Sequence, residues 1–174
     1  SAIAERLDQL NTERQELEKQ IKELALVQAM HQKNTDALAW AAGDSWHPGV
    51  LGIVASRIKE TTNLPSVVIG FEGSLGKGSG RSISGVDLGF AIQKLVSEGL
   101  LITGGGHKMA AGLSLVKENL EKAMYRLNEI IKKQHSSIDR TPKINIDALL
   151  FPSAATLEFV ELLNTAGPYG PGAK

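Results

Sequence analysis

The sequence predicts an α/β domain, a mixed β-sheet flanked by helices, with a long helix ahead of it and a strand-then-helix tail behind it. Three observations carry this. Short apolar runs such as Ala37–Trp46 and Leu64–Phe71 alternate with stripes of 3.6-residue period. The first thirty residues contain no Gly or Pro and are mostly polar, as a solvated helix would be. A Gly- and Ser-rich stretch, Phe71–Gly85, alternates instead of running at random.

Each element has its own warrant. Ile3, Leu7, Leu10, Leu17, Ile21 and Leu24 recur at spacings of three and four, with Arg14 in the seam. A helix from Ile3 to Met30 would be roughly 40 Å long, suited to a spacer between domains or to a coiled-coil arm, the latter weakened by Arg14. Ala37 onward reads as a buried strand ending in a turn. His47-Pro48-Gly49 opens a helix, with Pro48 in its first turn and Val50, Val54 and Ile58 on one stripe. Gly49 and Gly52 on that helix imply close packing against a strand or a ligand. Leu64–Phe71 is a buried strand, with Pro65 at its start.

A turn at Glu72-Gly73 then leads into a Gly-punctuated hairpin strand with Leu75, Lys77, Ser79, Arg81 and Ile83 alternating along it. Asp87 caps the following helix, whose stripe is Leu88, Ala91, Ile92 and Leu95 and whose end is marked by Gly99. Leu100–Thr103 is expected as a short strand before a Gly-Gly-Gly-His loop, and Ala111–Val116 as the strand after it. Lys117 to Gln134 is amphipathic, with Leu120, Met124, Leu127 and Ile131 inward. His135–Pro142 is loop-like, Lys143–Leu150 alternates as a strand, and Ser153 caps a last helix to Leu163. The resulting divisions are 1–34, a long connector helix; 35–135, the α/β domain; and 136–174, a linker, strand and helix.

Composition narrows the function. There is no Cys, so neither a disulfide framework nor a thiolate metal site is expected. No apolar run suits a membrane span and no secretory pattern opens the chain, which makes a cytoplasmic, membrane-free protein the expectation. Lys plus Arg and Asp plus Glu both total 19, so any nucleic-acid contact must be a local arrangement. The aspartates are scattered, and no metal-ligand spacing, nucleophile elbow or phosphate-loop motif appears. His31 and His135 sit in polar surroundings and read as surface residues. His47 and His107 sit in glycine-rich turns, where a plain packing role competes with a functional one.

What the sequence offers is donors for anions. Gly104, Gly105 and Gly106 can turn several N–H groups to one point, with His107 and Lys108 adding side-chain donors. Ser79, Gly80, Arg81 and Ser82 place a guanidinium and hydroxyls in a similar glycine-flanked setting. Two such stretches on one face of a sheet would suit a phosphodiester backbone; tight turns with solvated charges are the plainer alternative. Aromatic content is 5%, too low for a long stacking platform. Trp46, beside His47, either stacks on one base or is buried.

Trp46–Glu60, Gly76–Ser82 and Gly104–Leu115, in this order and spacing, resemble the RecJ family of single-strand-specific 5′→3′ exonucleases, within the DHH phosphoesterase superfamily. The resemblance covers about Ala37 to Ile131 and lies in the second, DHH-associated domain. It implies that the opening helix connects to a metal-bearing DHH domain, and that Leu162–Gly172 resembles the entry to an oligonucleotide-binding (OB) fold, here truncated. No DHH motif is present, so the chain resembles a piece of a longer repair and recombination enzyme, inactive by itself, with Mn²⁺ or Mg²⁺ held in the absent domain and no metal ligand here.

The resemblance further implies that His107 reaches the phosphate being cleaved. It puts Arg81, Ser79 and Ser82 on a phosphate of the strand, and His47 and Arg57 in the same groove. The expected partners are single-stranded DNA and the DHH domain of the same chain, with the protein a monomer. Two other readings remain open: a DHH phosphoesterase for short oligoribonucleotides or cyclic dinucleotides, and a non-catalytic coiled-coil adaptor.

Overall fold

A computed structural model describes residues 2–32, 36–135 and 149–167. The chain divides into two compact units, Ser1–Ile138 and Asp139–Lys174.

In the first unit, α1 (Ala2–His31) is the expected long helix, but only Ile21 and Ala25 on it are buried. Its second half lies on β1 (Ala39–Asp44) and α2 (Pro48–Thr62). The Gln28 side-chain carbonyl accepts the Ala42 N–H at 3.0 Å and so covers part of that strand's free edge. Ile3, Leu7, Leu10 and Leu17 remain exposed. Leu24 is exposed as well, so of the six apolar seam residues only Ile21 is buried inside the unit.

The sheet has five strands in the order β1-β2-β3-β5-β4, with β2 spanning Ser66–Glu72, β3 Leu75–Arg81, β4 Thr103–His107 and β5 Ala110–Val116. β1 and β2 are parallel and joined through α2; every other pairing is antiparallel. α2 begins where the sequence says it should. His47 is its N-cap and Pro48 occupies the first turn, while Asn63, at φ +53°, ends it. The hairpin turn falls after Glu72, with Gly73 at φ +60°.

One face of the sheet is fully covered by α3 (Leu88–Ser97) and α4 (Leu120–His135). Leu88, Ile92 and Leu95 meet Ile69, Leu113 and Leu115 of the strands and Met124, Leu127 and Ile131 of α4 in a single core cluster. Asp87 caps α3 by accepting the Phe90 N–H, and Gly99 follows its end at φ +72°. On the other face, α1 lies on β1, and α2 runs over β2 and on to β3. Ala39, Ala41 and Val68 pack there on Leu51, Val54 and Ile58. Beyond the part of β3 that α2 crosses, the same face of β3, β5 and β4 has no helix above it.

Two expectations need correction. The Gly-Gly-Gly-His stretch is itself strand β4, not a loop after a strand at Leu100–Thr103. In the second unit, α5 (Leu157–Thr165) is capped by Thr156, whose hydroxyl accepts the Phe159 N–H at 3.2 Å; Ser153 instead sits in a 3₁₀ turn, Pro152–Ala154. The expected strand at Lys143–Leu150 lies outside the described residues except for Leu149 and Leu150, which have no regular structure. The residues from Pro168 onward, which include the last five residues of the OB-like entry, and the boundary near residue 34 also lie outside them. Among the described residues, no helix is long and apolar enough to cross a membrane.

Candidate nucleic-acid interface

The uncovered half of the sheet is a flat floor whose side chains are fixed by strand register. Directly paired residues in antiparallel strands point to the same face. Arg81 pairs with Ala110, and Ala110 with His107, so these three make one row across β3, β5 and β4. The next row is Ser79, Gly112 and Gly105, and the third is Lys77, Ser114 and Thr103. Two strand spacings of ~4.8 Å put the Arg81 and His107 Cα atoms about 10 Å apart. The two glycine-flanked groups singled out in the sequence thus share one surface.

The arginine is held in place. Its Nη1 donates to Ser79 Oγ at 3.1 Å and to the Gly80 carbonyl at 2.9 Å. α2 passes directly above: a Cβ on Gly52 would lie 2.6 Å from Arg81 Nη2, so a larger residue there would displace the guanidinium. At the opposite edge, His107 Nδ1 accepts the Met109 N–H at 3.3 Å. That bond places the ring proton on Nε2, which is left as a donor. His47 uses the same device, its Nδ1 accepting the Gly49 N–H at 3.1 Å.

The glycines divide by reason. A Cβ on Gly104 would lie 2.5 Å from Ile92 Cγ2, and one on Gly106 2.3 Å from the Ala110 carbonyl oxygen, with Gly106 at φ +154°. Both are needed to seat β4 against α3 and β5. The expected convergence of N–H groups is replaced by an extended edge strand, which leaves alternate amides unpaired along its outer side. Gly105 is different: a Cβ there would meet nothing within 4 Å, and one on Gly112 would meet only Gly78 O at 3.9 Å. Folding does not require bare backbone at either position. Together they form the bottom of an open depression of about 550 Å³, bordered by Lys77, Thr103 and Ser114. The hydroxyls of Thr103 and Ser114 are 2.7 Å apart at its far end.

The remaining candidates fall on both sides of this line. Lys108 is exposed in the turn between β4 and β5, and its carbonyl accepts the Leu88 N–H at 3.1 Å. Gly80 points to the covered face, beneath Leu88. Ser82 is buried and its hydroxyl donates to the Val86 carbonyl at 2.9 Å, so it holds the loop before α3 instead of facing the open floor. Arg57 does not join the groove: its Nη1 is 3.2 Å from Glu60 and its Nε 3.8 Å from Glu18 of α1. Sequence reading could not see that pairing, which depends on where α1 lies. It also did not assign a role to Lys77, although the alternation from Leu75 to Ile83 already put Lys77 on one face with Arg81. Thr103, Gly112 and Ser114 carry no local signal and are united only by register. His31 is exposed in the last turn of α1. Among the described residues, no group of three or more His, Cys, Asp or Glu could hold a metal ion.

The sheet thus carries a Gly-Gly-Gly-His edge strand and a hairpin strand ending in Gly80-Arg81, with β5 between them. Residues 26–133 match the DHHA1 domain, and the chain belongs to that family. The particular relatives are single-stranded-DNA-specific exonucleases called RecJ. The Escherichia coli protein is 37% identical over 179 residues, covering 97% of this chain and 30% of the relative. That of Bacillus subtilis is 32% identical, covering 97% of this chain and 21% of the relative. Among solved structures, Thermus thermophilus RecJ in complex with Mn²⁺ aligns with a TM-score of 0.79 at 28% identity, covering 97% of this chain and 24% of that one. The chain therefore spans under a third of the length of these relatives, and the resemblance read from the sequence extends over nearly all of it.

Proposed function

We propose that this chain is the substrate-binding domain of a RecJ-like 5′→3′ single-stranded-DNA exonuclease that serves DNA repair and recombination. The observation that carries the proposal is the single row holding Arg81 and His107 on the uncovered half of the sheet, with a glycine floor beside it. Arg81, fixed by Ser79, presents its guanidinium to a strand phosphate. The bare backbone at Gly105 and Gly112 lets the sugar-phosphate chain approach the sheet, and Lys108 adds charge at the rim. His107 donates from Nε2 to an oxygen of the phosphate under attack and offsets the negative charge that develops there. His47 faces the same groove from the start of α2.

Ser82 and Gly80 act indirectly, by shaping the strand that carries Arg81. The ions found with T. thermophilus RecJ are Mn²⁺ and Mg²⁺. Among the described residues no His, Cys, Asp or Glu group fits such an ion; in this reading the metal chemistry is supplied by a DHH domain, to which α1 would be the connector and with which this face would close a cleft. By the same reading the chain alone is inactive and works as a cytoplasmic monomer. The relatives named above share one description, and neither the short-oligoribonucleotide reading nor the adaptor reading has an observation of its own to favour it.

The test is the salt dependence of binding. With a fluorescent single-stranded oligonucleotide and this chain, Arg81→Ala should weaken binding and lower the slope of log affinity against log salt by about one. An unchanged slope removes Arg81 from the phosphate contacts and takes the proposal with it.

A further inference from the structure

Beyond the phosphate-binding floor lies a second concavity. It has a volume of about 570 Å³ and sits at the carboxyl end of the parallel pair β1 and β2, beneath the start of α2. Its walls are of two kinds. Trp46 and Leu75 are apolar, while His47, Glu72 and Lys77 are polar; the Phe71 side chain is buried in the core on the opposite face. Trp46 is half-buried. Three atoms of its indole ring would lie 2.2–2.7 Å from a Cβ on Gly43, so one ring face rests on that glycine. Leu75 is 42% exposed, an apolar side chain at the mouth with no cover of its own. Gly70 is required: a Cβ there would strike the Trp46 carbonyl oxygen, so the sequence keeps the tryptophan lying across the strand ends.

Lys77 lines both this concavity and the glycine-floored depression. Register explains why, since Gly70, Lys77, Ser114 and Thr103 form one continuous row across four strands. A chain lying on the floor thus meets the concavity at Lys77. A phosphate would suit the Lys77 side but not the interior, where the Glu72 carboxylate repels it and the walls are apolar. A nucleobase suits both features. Its π-face packs on aromatic and aliphatic walls, and its exocyclic amino group has a carboxylate acceptor.

We propose that this concavity takes one unstacked base of the bound strand, with Lys77 on the phosphate beside it. This rests on the nucleic-acid reading above and assigns that site a second, charge-independent contact. It makes the domain sensitive to whether a base is present at one position, and it favours bases bearing an amino group.

Two single strands of equal length and charge, one of ordinary nucleotides and one abasic throughout, separate the two contacts. Binding to this chain is read by fluorescence anisotropy at low salt. The abasic strand should bind about tenfold more weakly. Trp46→Ala should bring the ordinary strand down to the abasic level and leave the abasic strand unchanged. Leu75→Ser, a neutral change at an exposed strand end, should do the same and covers the case in which Trp46→Ala does not fold. Equal binding of the two strands by the unaltered chain overturns the inference while sparing the phosphate reading. A base preference that survives in a folded variant overturns it as well. Failure of both strands to bind overturns both readings together.

Discussion

The same face of one sheet is built in two ways. Over β1 and β2 it is dry: Ala39, Ala41 and Val68 lie under Leu51, Val54 and Ile58, and small side chains allow helix and sheet to approach closely. Over β3, β5 and β4 it carries Arg81, Ser79, Lys77, Ser114 and His107, with glycine between them and no helix above except where α2 crosses Ser79 and Arg81. Backbone hydrogen bonding is continuous from one half to the other. What changes is only the cover, and with it the reason for each residue. In the dry half every small residue answers to a neighbour. In the open half Gly105 and Gly112 answer to none, and an unexplained absence of side chain on a rigid floor is where a ligand fits.

The largest break in this comparison comes from the dry half. Leu51→Ala should cost about 3 kcal/mol of stability, through lost burial and the void left behind, as read by chemical denaturation. Strand binding per folded molecule should stay as it was; a loss of affinity in the folded fraction would mean the halves are not independent. The comparison sharpens in the open half with a matched pair. Gly105→Val should keep or slightly raise the melting temperature, because a branched side chain suits a strand and has free space, yet it should abolish oligonucleotide binding. Gly104→Val, one residue away on the covered face, should be destabilising by a few kcal/mol because Ile92 occupies the space. Similar melting temperatures for the two would erase the distinction.

The smallest effect lies outside both halves. A hydrogen bond from Lys132 holds the Asp36 carboxyl below its ordinary range, and one from Arg126 does the same for Glu98. Lowered folded-state values mean that their stabilising contribution is present above the normal carboxylate range and lost as pH falls through the lowered values. Both pairs are at the surface, so the change in denaturation midpoint between neutral and acid pH should be slight and should shrink further in high salt. A midpoint shift that salt leaves untouched would point to a different group.

Much of this organisation was legible where the cause is local. Pro48 and the stripe Val50, Val54, Ile58 fixed α2, Asp87 fixed the start of α3, and Gly99 its end. Legibility failed where the cause is distant in sequence. β4 reads as a loop because glycine has low strand propensity; the strand forms because α3 and β5 leave room only for glycine at Gly104 and Gly106. Arg57 reads as a groove residue until α1 places Glu18 beside it. For the site, Arg81 and His107 stood out through their glycine-rich settings. Their shared row did not, because register between strands is set by pairing across the whole sheet. Thr103, Gly112 and Ser114 gave no sign for the same reason.

The row from Arg81 through Ala110 to His107 also acts as a ruler. Its length is set by peptide hydrogen bonds on both sides of β5, not by any side chain. Repacking the helices above or below can tilt or soften the floor, but it cannot slide the cation and the imidazole apart. Only unzipping β5, which would dismantle the sheet, could do that. Selection is therefore free to vary what surrounds this pair while the interval between them stays constant.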